Sequence, residues 1–373
     1  MMVVKTSSNR SDGQVDWLLL ATIMLLICLG LTMVLSSSGV VAAKKYADQY
    51  YFFKRQVIFA VIGIAAMLVA FKLPRDFLYN MKYPLLLVVI VLLLATLVLG
   101  RPFNGAKRWI SFGVFTIQPL ELAKISLIIY LAYFMDAKRE MLRTFSRGII
   151  PPFAVTGILC GLLLLQPDFG GAALLVLLLF FMCLVGGCRF IYLALTAVLA
   201  MGGAALLILF EPYRFKRLTS SMDPFSDPLN SGYQVSQSLY AFGSGGATGV
   251  GLGASKQKLL FLPESYTDFI MSILGEELGF VGMCLFFFLF GMFIWRAFLT
   301  SYRQEELKDK LVAFGLTIMF ALNAVLNLAV VMGSAPPKGV PMPFISYGGS
   351  SFIATLFCAG LLLNYSRTAR RAA

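Results

Sequence analysis

Apolar runs of about 17 to 25 residues, parted by short charged clusters, recur along the chain from Val15 onward. A run of that length crosses the roughly 30 Å hydrocarbon core as a helix, where every backbone N–H and C=O must find its partner within the protein. A chain written this way folds as a bundle of membrane helices. Only 13% of its 373 residues are charged, against roughly 25% in a soluble domain. The expected fold class is all-α: a polytopic membrane protein with ten transmembrane helices and a long extracytoplasmic loop between helices 7 and 8.

The ten spans are expected at 15–35, 56–71, 83–99, 120–134, 149–165, 169–186, 190–210, 269–298, 311–331 and 350–364. The second, fourth and tenth are short and are expected to extend into flanking polar residues. A single membrane domain, 1–373, then carries a cytoplasmic tail at 1–14, a large extracytoplasmic loop at 211–265 and a second cytoplasmic tail at 365–373. No A-x-A-like cleavage site follows the first span, so it reads as a retained anchor. With the N-terminus inside, 17 of the 31 Lys and Arg fall on cytoplasmic segments, including three Arg after Asn364, and Trp17 and Trp295 sit near the inner interface. Long outer loops are where function concentrates, and two further outer segments, 100–118 and 333–349, are polar and rich in Gly and Pro.

Histidine is absent, which removes imidazole as a base or metal ligand and excludes Ser-His-Asp and Cys-His mechanisms. The six cysteines lie in or beside apolar runs with no C-x-x-C pair, a pattern against zinc and disulfides. Acid–base work falls to 18 carboxylates. Asp12, Asp16, Asp76, Asp136, Glu140, Glu305, Glu306 and Asp309 lie among cations on the inner side and read as solvated, charge-balanced loop residues.

Glu121 and Lys124 share a helix face inside the fourth span, which implies pairing or a wet cavity, for structural pinning or for a substrate channel. Asp168, in Q-P-D-F-G-G, suits an N-cap of the next helix. Glu276 and Glu277, in L-G-E-E-L-G, mark a break or an interior polar patch. Asp268, in L-P-E-S-Y-T-D-F-I, stands where the long loop enters the eighth span. Ser265 and Asp268 resemble a capping box, yet a carboxylate at the water–membrane boundary is also one whose pKa rises toward usefulness as a base.

The cations of the same face include Lys107 and Arg108, next to Trp109, then Arg214, Lys216 and Arg217, and later Lys256, Lys258 and Lys338. A basic face without base-stacking motifs suits a phosphorylated lipid rather than nucleic acid, either in a built site or by attraction of anionic headgroups. The glycines from Gly243 to Gly253 lack the Lys-Ser/Thr of a nucleotide-binding loop.

Taken in order, N-G-A-K-R-W-I, I-Q-P-L-E-L-A-K, Q-P-D-F-G-G, L-P-E-S-Y-T-D-F-I with G-E-E-L-G, and P-K-G-V-P-M-P-F-I-S-Y-G-G-S-S resemble the SEDS family of bacterial cell-wall proteins over essentially the whole chain. The P-K-G segment and I-Q-P-L-E-L-A-K-I-S-L are more similar to its division (FtsW) branch than to its elongation (RodA) branch. The resemblance implies a peptidoglycan glycosyltransferase that polymerises lipid II at the outer face of the inner membrane, at the division septum. It also implies release of undecaprenyl pyrophosphate and work alongside a class B penicillin-binding protein and other membrane proteins of division. The family's essential acidic residue corresponds to Asp268, its loop Trp to Trp109 and its intramembrane pair to Glu121 and Lys124. Lys107, Arg108, Arg214, Arg217, Lys338 and Ser350 are the accompanying substrate-binding candidates. Ser265-Tyr266, where rod-type members often have Arg-His, and Pro337, where Thr is common, depart from the pattern. A Mg²⁺ or Mn²⁺ ion is left open, since most of its coordination would come from substrate phosphates. The alternatives are a lipid II flippase with Glu121 and Lys124 along its path, a rod-type polymerase, or a scaffold for the transpeptidase.

Overall fold

The computed structural model describes residues 15–103, 106–111, 116–209, 219–221 and 223–367. Its helices are α1 (Trp17–Tyr46), α2 (Tyr51–Lys72), α3 (Arg75–Asn80), α4 (Lys82–Leu99), α5 (Pro119–Ala137), α6 (Ile150–Leu165), α7 (Phe169–Gly186), α8 (Phe190–Leu209), α9 (Tyr233–Gly245), α10 (Ile270–Tyr302), α11 (Leu307–Val331) and α12 (Ser350–Ser366). Among the described residues seven helical segments are long and apolar enough to cross a membrane. Helices also stand at the other three expected positions: α8 and α12 are apolar but shorter by that measure, and α5 carries Glu121, Lys124 and Asp136. The polytopic all-α class therefore holds, while the count of ten rests on these three.

Three short antiparallel strands interrupt the helical fold, β1 (Arg101–Phe103), β2 (Ala106–Ser111) and β3 (Thr116–Ile117), in the order β1-β2-β3. The all-helical expectation missed them. The expected tail at 365–373 also begins too early, because α12 runs to Ser366 and Tyr365 is wholly buried.

Burial separates the inner helices from the lipid-facing ones. Most of α5 and α11 is enclosed, whereas α4 leaves Leu87, Val91, Leu94 and Val98 exposed at helical spacing, a stripe suited to acyl chains. The centre is aromatic. Phe320 and Phe344 stack at 5.3 Å, with Phe293 edge-on to them at 5.0 and 5.1 Å. Phe344 belongs to the non-helical 333–349 segment, which thus dips into the bundle, and Gly30 lets α1 meet its backbone.

Two polar devices hold the ends. At one end the buried Arg75 guanidinium donates to Asp309 at 2.6 Å and to both the side chain and carbonyl of Asn364, while Tyr79 donates to Asp309. Asp309 and Arg75 are therefore interior residues, which corrects the reading of Asp309 as a solvated loop carboxylate. Asp16 at that end caps α1 through Leu19 N and binds Arg296 of α10 at 2.6 Å.

Toward the other end α10 is broken at Gly279, where φ is 65° and ψ is −162°. The chain at Gly246–Gly251 fills the gap. Val250 N and Gly251 N donate to the carbonyls of Glu276 and Glu277, and Phe280 N and Val281 N donate to those of Gly246 and Ala247. A Cβ at Gly279 would stand 2.2 Å from Gly249 N, in a backbone region open essentially to glycine alone. Gly279→Ala is expected to cost more than about 3 kcal/mol, the strain being increased by the clash. Thermal unfolding of the purified protein in detergent measures it.

Candidate functional site

The break makes Ile270–Leu278 a separate half-helix, and Asp268 stands two residues before its start. Its N-cap is Phe269, with no side-chain cap bond, so Ser265 and Asp268 do not form a capping box. Glu264 instead takes a left-handed conformation, φ 55°, and its carbonyl accepts from Thr267 N and Phe269 N. This tight turn presents Asp268 half-buried, its carboxylate without a hydrogen bond or ion pair among the described residues. Desolvation, reinforced by the charge of Glu264 and opposed by Arg108, pushes its carboxyl up to about 7.

Arg108 arrives from β2, donating through Nη2 to Pro167 O at 2.5 Å and lying 3.8 Å from Asp168 Oδ1. Asp168 performs two tasks: it caps α7 through Gly171 N at 3.0 Å and faces the guanidinium. Lys338 extends across the start of α7, its ammonium 5.0 Å from the Phe169 ring centroid and its stem against Gly170. Burial lowers its pKa, and Asp168 counters the shift. The next residue, Gly339, lies so near Asp268 that an added Cβ would stand 3.3 Å from Oδ2. Ser350 opens α12, its Oγ accepting from Gln118 N at 3.2 Å. Asp268, Arg108, Asp168 and Lys338 thus gather at one end of the bundle.

Other candidates do not join them. Lys107 is exposed and reaches Leu97 O at 3.5 Å; Trp109 is half-buried on β2. Arg214 and Arg217, with Lys216, lie outside the described residues. Glu121 and Lys124 form a buried pair at 2.8 Å beside a cavity roomy enough only for water-sized occupants. Glu276 is consumed by the loop, accepting from Ser255 Oγ, Lys256 N and Gln257 N; Glu277 binds Lys258 at 2.7 Å and Ser36 of α1. Among the described residues the buried carboxylates, Glu121, Asp168, Glu276, Glu277 and Asp309, all have partners.

Sequence reasoning missed Gln118, Lys258 as an ion-pair partner and Asn327 of α11. The last carried a signal, since Asn323 and Asn327 stand four residues apart on one face of an apolar span. No group of three or more His, Cys, Asp or Glu that could hold a metal ion gathers among the described residues.

A bundle of membrane helices with opposed charges assembled at one end defines a polytopic membrane protein with a polar site at the mouth of its helices. The chain belongs to the FtsW/RodA/SpoVE family: the family model described as Cell cycle protein matches residues 16–371. The probable peptidoglycan glycosyltransferase FtsW of Trichlorobacter lovleyi is 41% identical over 356 residues, 95% of this chain and 93% of that one. Stage V sporulation protein E of Bacillus subtilis is 40% identical over 359 residues, 95% and 98% of the two chains. Among solved structures, a chain of a peptidoglycan synthase complex that coordinates polymerization and crosslinking matches with a TM-score of 0.80 at 31% identity, covering 96% of this chain and 99% of that one. The rod shape determining protein RodA of Thermus thermophilus matches with a TM-score of 0.72 at 29% identity, over 96% and 98% of the chains.

Lys258→Met leaves Glu277 charged and buried without its cation, an expected loss of about 3–5 kcal/mol. Lys258→Met with Glu277→Gln recovers much of it, and thermal unfolding of the two variants checks the coupling.

Proposed function

We propose that this protein is a peptidoglycan glycosyltransferase of the division type, polymerising lipid II at the outer face of the bacterial inner membrane. The observation that carries the proposal is Asp268, a half-buried carboxylate free of partners among the described residues, set between Arg108 and the Lys338 segment. The acceptor is the 4-hydroxyl of GlcNAc on one lipid II, and it attacks the anomeric carbon of MurNAc on the growing chain. Asp268 takes the hydroxyl proton as the C–O bond forms, and undecaprenyl pyrophosphate leaves with the electrons of the broken bond.

Negative charge grows on the departing pyrophosphate, which Arg108 and Lys338 are placed to receive. Burial disfavours the Lys338 ammonium, and an arriving anion opposes that bias. Trp109, next to Arg108 on β2, and Ser350, at the start of α12, remain candidate binding residues, as do Arg214 and Arg217 from the loop. The penicillin-binding protein partner and septal location follow the FtsW-like relatives, and the synthase-complex neighbour supports such a partnership. The polyprenyl tail would lie against lipid-facing grooves of the bundle.

Polymerisation of fluorescent lipid II by purified protein with its transpeptidase partner is the test. Asp268→Ala and Asp268→Asn are each expected to lower product formation by about 10² to 10⁴; near-normal glycan synthesis removes Asp268 as the base, and lipid translocation without product supports a flippase instead. The reactive form of the base is the charged one. With the carboxyl raised to about 7, kcat/KM should climb as pH rises through about 7. Arg108→Ala removes an attraction and moves that limb to higher pH; Glu264→Gln removes a repulsion and moves it lower. A limb near pH 4 in the unaltered enzyme contradicts the assignment.

A further inference from the structure

Asn327 of α11 is 1% exposed, and its amide nitrogen donates to two carbonyls, Asp268 O and Val340 O, each at 2.8 Å. The orientation is fixed by chemistry, because a turned amide would aim its oxygen at two acceptors. The bond to Asp268 is one of a series. Tyr347 N donates to Tyr266 O at 2.9 Å, and Ser346 Oγ donates to Thr267 O at 2.6 Å. Three successive carbonyls, 266, 267 and 268, are therefore held by three separate donors. Ser346 Oγ also accepts from Met342 N at 2.8 Å, which closes the turn that carries Phe344 into the core.

We propose that Asn327, with Ser346 beside it, is a positioning residue that sets the Asp268 carboxylate against the Lys338 segment. Asn327 cannot touch a substrate, being buried. Its amide is the one side chain that joins the main chain of Asp268 directly to Val340, two residues past Lys338. One amide thus fixes the spacing between the base-bearing turn and the segment offered to the leaving group. Reacting groups must be held to a fraction of an ångström, and a 1 Å displacement costs about a hundredfold in rate. The Ser346 hydroxyl holds the preceding carbonyl in the same register, so loss of either donor loosens Asp268 without deleting a charge.

The inference rests on Asp268 acting as the base, so Asp268→Ala is assayed alongside Asn327→Ala and Ser346→Ala in lipid II polymerisation. Asn327→Ala is expected to lower kcat about tenfold to a hundredfold, with KM within about threefold of the unaltered enzyme. The pH profile separates positioning from mere structure. The charged groups facing Asp268 are Glu264 on its own turn and Arg108 from β2, with Lys338 on the adjoining segment. Asn327 and Ser346 carry no charge, so movement of the acid limb in their variants reports displacement of Asp268 itself, and exposure of its carboxylate to water moves the limb to lower pH. Ser346→Ala is the second variant, expected to show the same signature more weakly, and it decides the matter if Asn327→Ala does not fold. Wild-type kcat and an unmoved acid limb in the folded variants, with Asp268→Ala inactive, overturn the positioning role. Activity in Asp268→Ala instead overturns the reading of the base itself.

Discussion

A bilayer offers no water to backbone amides, so each place where this chain abandons helical geometry at depth must supply its own hydrogen bonds. Two such places exist on the way to Asp268, and the architecture is organised around them. At Gly279 the four bonds to and from Gly246–Gly251 replace those the helix gives up. In the 333–349 segment, Asn327, Ser346 and Gln56 meet backbone groups that would otherwise be bare, with Gly348 N donating to Gln56 Oε1 at 3.3 Å. Both repairs converge on the same short stretch, 264–278. The turn carrying the candidate base and the half-helix that follows it thus depend on the rest of the protein for their backbone bonds.

Charge is distributed by the same logic. Desolvation makes an unpaired buried charge costly, and the interior carboxylates answer with partners: Arg75 for Asp309, Lys124 for Glu121, Lys258 for Glu277, and three donors for Glu276. These pairs tie distant segments together. Lys258 and Glu277 bind the end of the long loop to the broken helix, with Ser36 bringing in α1. Asp268 stands apart because its neighbours raise its proton affinity rather than neutralise it: Glu264 repels and burial penalises the charge, with Arg108 only partly opposing them. A carboxylate left in that condition is stable mainly as a reactant.

Hydropathy made the helices legible because lipid imposes length and apolarity directly on sequence. It placed α4, α7 and α11 closely and shortened α2 and α5, whose helices continue through the charged residues Lys54 and Arg55 at the start of one and Asp136 at the end of the other. The amphipathic α9 and the strands at 101–117 escaped, since neither is long or uniformly apolar. Of the site, Asp268, Arg108, Asp168 and Lys338 were readable as motif residues, and Asp168 as a cap. Their convergence was not, because it depends on β2 folding back over the start of α7 and on the 333–349 segment entering the bundle. Asp309 was misread for a related reason: among cations it resembles a surface charge, and only the approach of Arg75 and Tyr79 places it inside.

The proposed joining of sugars fits this geometry better than moving a lipid across the membrane does. Alternating access needs an element with two arrangements of similar free energy, commonly a broken helix free to rock about its site. Here the broken helix is bolted. Backbone bonds fill its gap, three hydrogen bonds hold Glu276, the Lys258 ion pair and the Ser36 hydroxyl hold Glu277, and the turn before it is fixed at carbonyls 266, 267 and 268. Moving it would break most of these at once in a medium where water cannot replace them. Rigid presentation of a proton acceptor beside cations is instead what a transferase requires, because electrostatic stabilisation lowers a barrier to the extent that the stabilising groups are already in place. The cost of building non-helical backbone at depth is thus matched to a site that works by holding still.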